Sequence, residues 1–237
     1  METQDIVALI LVYLIIAAAL GLSNYVQKKG IDWDNRKIVH IGVGAFIYVW
    51  WAFTENWIML AFFAVPFAIV LFFAMFPGNP VSDSKLGEIT NDMGHRYGLF
   101  LYVISICILV AFFFDHWVAA TVAIVAMTRG DGFGSIVGRK YGKHKIIHGK
   151  SLEGSIGVFT ATVLISFFVI MLYGFFYTTL PDYGIAVNAM TVGIVAAIGY
   201  SLLAGTIASV VEAVAPGDFD NLLIPMCIVV PLTLLGL

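Results

Sequence analysis

Long apolar runs alternate with short polar stretches along this chain, and the runs are too long for the core helices of a soluble protein. A helix that crosses a bilayer takes about 20 apolar residues, with ~17–25 as the range. Eight runs are candidates: Ile6–Leu22, Ile38–Phe53, Trp57–Phe76, Gly98–Phe114, His116–Thr128, Ile156–Leu180, Ala189–Val211 and Leu222–Leu237. The fifth is short, and the eighth carries Pro225 and Pro231. The pattern predicts an all-α polytopic membrane protein of about eight transmembrane helices, one integral-membrane domain over residues 1–237. Glu2 and Asp5 precede the first run without a basic residue, the wrong sign for a secretory signal, so that run reads as a retained helix. The seventh has a small residue at every fourth position, Gly193, Ala197, Ser201, Gly205 and Ser209, a smooth stripe for a closely packed neighbour.

The polar stretches set the orientation. Lys28, Lys29, Arg36 and Lys37 follow the first run, Lys85 and Arg96 the third, and Arg129, Arg139, Lys140, Lys143, Lys145 and Lys150 the fifth. The stretches after the second, fourth and sixth runs hold no Lys or Arg. Basic loops stay in the cytoplasm, so the N-terminus is expected outside and the basic loops inside. Composition agrees: 61% of residues are hydrophobic and 11% charged, where soluble proteins are about a quarter charged. The net charge of −3 gives no reason to expect a nucleic-acid partner. Cys107 and Cys227 both lie in apolar runs and read as packed thiols.

Ten acidic residues share the basic side: Asp32, Asp34, Asp83, Glu88, Asp92, Asp131, Glu153, Glu212, Asp218 and Asp220. Carboxylates contribute little to topology. Crowded among cations they suit a polyphosphate and a divalent metal, Mg2+ first. The stretch from Arg129 to Ser155 holds six cations and glycines at 130, 132, 134, 138, 142, 149 and 154, which reads as a loop whose backbone could cradle phosphate. It is neither a P-loop, since His144 stands where the first glycine belongs, nor a dinucleotide fingerprint, since Ser135 replaces the third. Arg36, Lys37 and His40 share one helix face by their spacing, which suits a phosphate or headgroup contact. Between the last two runs stand Glu212, Asp218, Asp220 and Asn221; helix capping accounts for the last three, whereas Glu212 at the end of an apolar helix calls for a cation.

Taken in order, these pieces resemble the CTP-dependent lipid-alcohol kinases: dolichol kinase, phytol kinase and the CTP-dependent diacylglycerol kinase. The matching residues are Arg36, Lys37 and His40; Gly130 and Asp131 with Ser135, Gly138, Gly142 and Lys143; Lys150-Ser151-Leu152-Glu153-Gly154-Ser155; and Glu212 with Asp220-Asn221-Leu-Leu-Ile-Pro225. The dolichol kinase branch is the nearest by Ser135 and the Asp220-Asn221-Leu run. The resemblance implies transfer of the CTP γ-phosphoryl group to a dolichol- or polyprenol-type alcohol, in the cell membrane of a prokaryote given the small chain. It implies metal-binding and catalytic roles for Asp131, Glu212 and Asp220, and nucleotide contacts by Gly130, Gly132, Ser135, Gly138, Arg139, Lys143, Lys150, Ser151, Glu153 and Asn221. Arg36, Lys37 and His40 would line the way in for the lipid. Two rivals stay open. A cytidylyltransferase making a CDP-lipid needs similar ingredients, and a transporter would bind near the midplane at broken helices, where only Pro66 clearly interrupts a run.

Overall fold

The structure is a computed structural model that describes residues 1–31, 34–91, 96–180 and 191–237. Asp32, Asp92 and the start of the run from Ala189 lie outside them. The described residues form an all-α membrane protein with these helices: α1 Thr3–Lys28, α2 Asn35–Val43, α3 Ile47–Trp50, α4 Asn56–Met59, α5 Val65–Ala74, α6 Lys85–Thr90, α7 Gly98–Phe112, α8 Trp117–Val125, α9 Asp131–Tyr141, α10 Leu152–Thr179, α11 Ile194–Val214 and α12 Asp220–Leu234. Five helical stretches are long and apolar enough to cross a membrane: Thr3–Lys28, Asn56–Ala74, Leu152–Thr179, Ile194–Val214 and Gly217–Leu234. A sixth arises if α7 and the run Phe114–Tyr141, bent by 100° against it, are taken as one broken span. The run expected over Ile38–Phe53 is helical but broken, with a 3-10 turn at Gly44–Phe46 between α2 and α3.

Every residue of α8 is buried, which suits its unbroken apolar sequence. It is the axis of the bundle, and α10 and α12 pack against it. From its end a π turn, Ala126–Gly130, leads directly into α9. The stretch read as a glycine-rich loop is thus helix as far as Tyr141, and only the part from Gly142 to Ser151 is loop. Several of the glycines serve helix packing. A methyl at Gly134 would run into Val158 of α10, and one at Gly138 would stand 3.2 Å from the Ser151 hydroxyl. The helices α9 and α10 therefore cross closely, backbone near backbone.

Two helical prolines, Pro66 and Pro225, are accommodated by hydroxyl groups of neighbouring helices. Pro66 cannot donate to the Phe62 carbonyl, and the Tyr13 hydroxyl donates to it instead at 2.6 Å. Pro225 likewise frees the Asn221 carbonyl, which accepts from the Ser105 hydroxyl at 2.7 Å. On α11 the middle of the expected stripe is in place, with Ala197, Ser201 and Gly205 buried, whereas Gly193 is exposed before the helix and Ser209 is half-buried.

Candidate active site

Three helices begin at one cavity. The helix α2 starts at Asp34, whose carboxylate caps it by accepting from the Lys37 backbone N–H at 3.1 Å. Ser151 caps α10 in the same way, accepting from Gly154 at 3.2 Å. The helix α12 starts at Asp220, after a 3-10 turn, Gly217–Phe219. The cavity between these ends has a volume of about 610 Å³, and residues from all three starts form its walls. The N-terminus of a helix carries partial positive charge and free N–H groups, so three of them directed at one space favour an anion there.

Side chains add to that field. Arg36, Lys37, Arg139, Lys145 and Lys150 line the cavity, and Asp34, Asp131, Glu212 and Asp220 stand among them. Lys37 of α2 is buried and donates to Asp131 Oδ2 at the start of α9. Arg36 pairs with Asp218 at 3.2 Å, and Asp218 also accepts from the Tyr97 backbone N–H at 3.1 Å. Lys150 Nζ lies 2.9 Å from Glu212 Oε1 and 3.4 Å from Asp220 Oδ2. Partial burial works against the Lys150 charge, but Asp220 and Glu212 outweigh it and hold the ammonium above the ordinary lysine range. Asn221 steadies Asp220 by donating to its Oδ1 at 3.1 Å.

The π turn beneath this cavity is braced from α2. A π turn disturbs the regular helical bonding, and such turns cluster at functional sites. Here His40 Nε2–H donates to the Met127 carbonyl at 3.1 Å, with its ring 4.2 Å from that of Tyr102. Arg129 is buried, donates to the Gly44 carbonyl at 2.9 Å, and lies over the Tyr48 ring at 5.5 Å. A side chain at Gly44 would collide with Thr128, so α2 breaks into its 3-10 turn where the two segments touch. Together with the Lys37–Asp131 pair, these contacts set Asp131 against α2.

The structure thus brings together Arg36, Lys37, Asp131, Ser135, Gly138, Arg139, Lys150, Ser151, Glu212 and Asp220 from the residues selected in the sequence. The others stand apart from the walls. Buried His40 serves the π turn. A side chain at Gly130 would meet Thr162, and one at Gly132 would meet Ile41. Glu153 holds the loop after α9, accepting from the Lys143 and His144 backbone N–H groups at 3.2 and 3.3 Å, and the Lys143 side chain is exposed. Sequence reasoning did not select Asp34, Lys145, His148 or Gly149 as site residues, yet all four line the cavity. Asp34 had a signal, a helix-capping residue two positions before Arg36. Gly149 takes a left-handed conformation, φ +76°, open to glycine at no steric cost, and turns the loop back towards Ser151.

Comparison with known proteins adds a separate line. Phytol kinase of Synechocystis sp. is 30% identical over 200 residues, which cover 81% of this chain and 75% of that protein. The chloroplastic farnesol kinase of Arabidopsis thaliana is 28% identical over 173 residues, or 69% of this chain and 56% of that protein. The chain thus spans little more than half the length of the plant relative. No family model matches the chain. No solved structure matches it either.

Proposed function

Because this chain belongs to the family of isoprenoid-alcohol kinases that includes phytol kinase and farnesol kinase, we propose that it transfers the γ-phosphoryl group of CTP to the hydroxyl of an isoprenoid alcohol. The observation that carries this reading is the convergence of three helix starts and five cations on one cavity. Phosphoryl transfer asks a protein chiefly to position its reactants and to stabilise charge. Arg36, Arg139, Lys145 and Lys150 would neutralise the triphosphate. The alcohol oxygen bonds to the γ-phosphorus while the bond from that phosphorus to the β,γ-bridging oxygen breaks. The electron pair leaves with CDP, and the hydroxyl proton passes to Asp131. Lys37, already donating to Asp131, keeps that carboxylate ionised and oriented for the task.

A magnesium ion fits the same cavity. Magnesium is commonly held by one or two protein carboxylates, by water and by substrate phosphates rather than by a closed protein cage. Among the described residues no group of three or more His, Cys, Asp or Glu side chains forms such a cage. Asp131, Glu212 and Asp220 on the walls suit the open arrangement. Such an ion would neutralise charge on the β- and γ-phosphates. Ser135 and the Asp220-Asn221 pair support a dolichol- or polyprenol-type acceptor, and the names of the relatives support phytol or farnesol. The one-sided Lys and Arg residues support a cavity open to the cytoplasm.

The test is product analysis with purified protein, magnesium and each of phytol, farnesol and a polyprenol. CTP labelled at the γ-phosphorus is expected to label the lipid, with one CDP formed per lipid phosphate. Label that enters from the α-phosphorus, with pyrophosphate released, would replace the kinase by a cytidylyltransferase. Absence of nucleotide turnover with every lipid would return the transporter reading.

A further inference from the structure

A second cavity, about 590 Å³ in volume, lies on the other side of the contact between α2 and α9. Its walls are Leu22 of α1, Ile38, Ile41 and Gly42 of α2, and Ile136 of α9, with Asp34, Lys37, Arg139 and Lys140 at one end. Three of those charged residues, Asp34, Lys37 and Arg139, also line the polar cavity. The two spaces therefore share part of their walls, where Lys37 pairs with Asp131 and Asp34 lies 3.7 Å from Arg139. Leu22 and Ile136 are half exposed, so the apolar cavity opens on the outer surface of the helix bundle. At its inner wall Ile41 packs against Gly132, next in sequence to Asp131.

We infer that the isoprenyl chain of the acceptor lies in this groove between α1, α2 and α9, with its hydroxyl reaching past Lys37 to Asp131. The inference rests on the kinase reading and names the acceptor subsite of that reaction. The chemistry matches at both ends. A branched hydrocarbon fits an aliphatic wall that opens into the bilayer, and an alcohol head needs the polar end where the groove meets the triphosphate cavity. A soluble acceptor would have no use for a lateral opening. In this arrangement the chain never leaves an apolar medium, and only the hydroxyl crosses to the charged side. Lys37 then has two parts: it orients Asp131 and forms the rim over which the hydroxyl passes.

The experiment pairs kinetics with labelling of the wild-type protein. Ile136→Trp and Leu22→Trp fill the groove from its exposed side, and Leu164→Trp, on the exposed face of α10, is the control. For the first two, KM for phytol is expected to rise about tenfold or more with a smaller change in KM for CTP, the sign of lost substrate binding. The control should stay within twofold of wild type. In parallel, a phytol analogue with a diazirine at the chain end is photolysed on the wild-type protein. Adducts on Ile38, Ile41 or Ile136 that disappear with excess phytol support the groove. Unchanged KM in both variants, or competed adducts confined to other helices, would overturn it even though phytol phosphorylation persists. Should the wild type phosphorylate no alcohol, the kinase reading itself fails, and the groove as an acceptor site fails with it.

Discussion

Lys37 and Asp131 are both buried, and each is tolerated there because of the other. Removing one charge leaves its partner unpaired, at a cost of about 3–5 kcal/mol in a buried setting. Asp131→Asn should therefore lower both the melting temperature and kcat. The kcat loss is expected at about 10²-fold or more, the range for a positioned proton acceptor. The double variant Lys37→Met with Asp131→Asn separates the two effects. It should regain much of the melting temperature, since no lone charge remains, and regain no activity. A double variant as active as wild type would remove the pair from the chemistry. Helix spacing picked out Lys37 and the family resemblance Asp131, and the place of Lys37 on the walls of both cavities came from the fold. His40 shows the opposite case. Its place under Arg36 and Lys37 suggested a headgroup contact, yet a helix face that points inward gave it to the Met127 carbonyl.

At the scale of elements, α9 is where local reading and structure part. Glycine is a poor helix former, costing ~1 kcal/mol against alanine, so a segment with Gly132, Gly134 and Gly138 reads as loop. It is helix because α10 lies so close that only glycine fits. Gly134→Ala would improve the intrinsic propensity and still destabilise, because its methyl would meet Val158. Overpacking of this kind costs about 1–3 kcal/mol, and thermal unfolding in detergent should show a lower melting temperature than wild type. A higher one would mean that the α9–α10 contact is looser than described. The break of α2 at Gly44 has the same origin, since a close approach to Thr128 and a carbonyl taken by Arg129 leave no marked signal in the local sequence.

For the whole molecule, the charge asymmetry makes a prediction about sides. With Cys107 and Cys227 replaced, a cysteine at Lys143 should react with a membrane-impermeant thiol reagent only when the cytoplasmic face is accessible. A cysteine at Asp115, exposed in the turn between α7 and α8, should react from outside in intact cells. The reverse pattern would place the polar cavity outside the cytoplasm and remove CTP from its reach. Lys143 and Asp115 are both exposed, so their reactivity reports sidedness rather than burial within the bundle.

The sequence by itself determined the class of the molecule and ten of the residues that line its polar cavity. Run length and hydropathy require a bilayer, Lys and Arg fall only in alternate polar stretches, and the ordered residues from Arg36 to Asn221 carry the family resemblance. These are local properties, and the solvent acts on them segment by segment. Pairing is not local. Lys37 and Asp131 are 94 residues apart, and Arg36 and Asp218 are 182 apart. Which cation meets which carboxylate depends on how α2 packs on α9, α9 on α10, and α12 on α7 and α11. Only that packing could decide that Lys150 sits between Glu212 and Asp220, that glycines serve a helix crossing, and that an apolar groove ends at Asp131's partner.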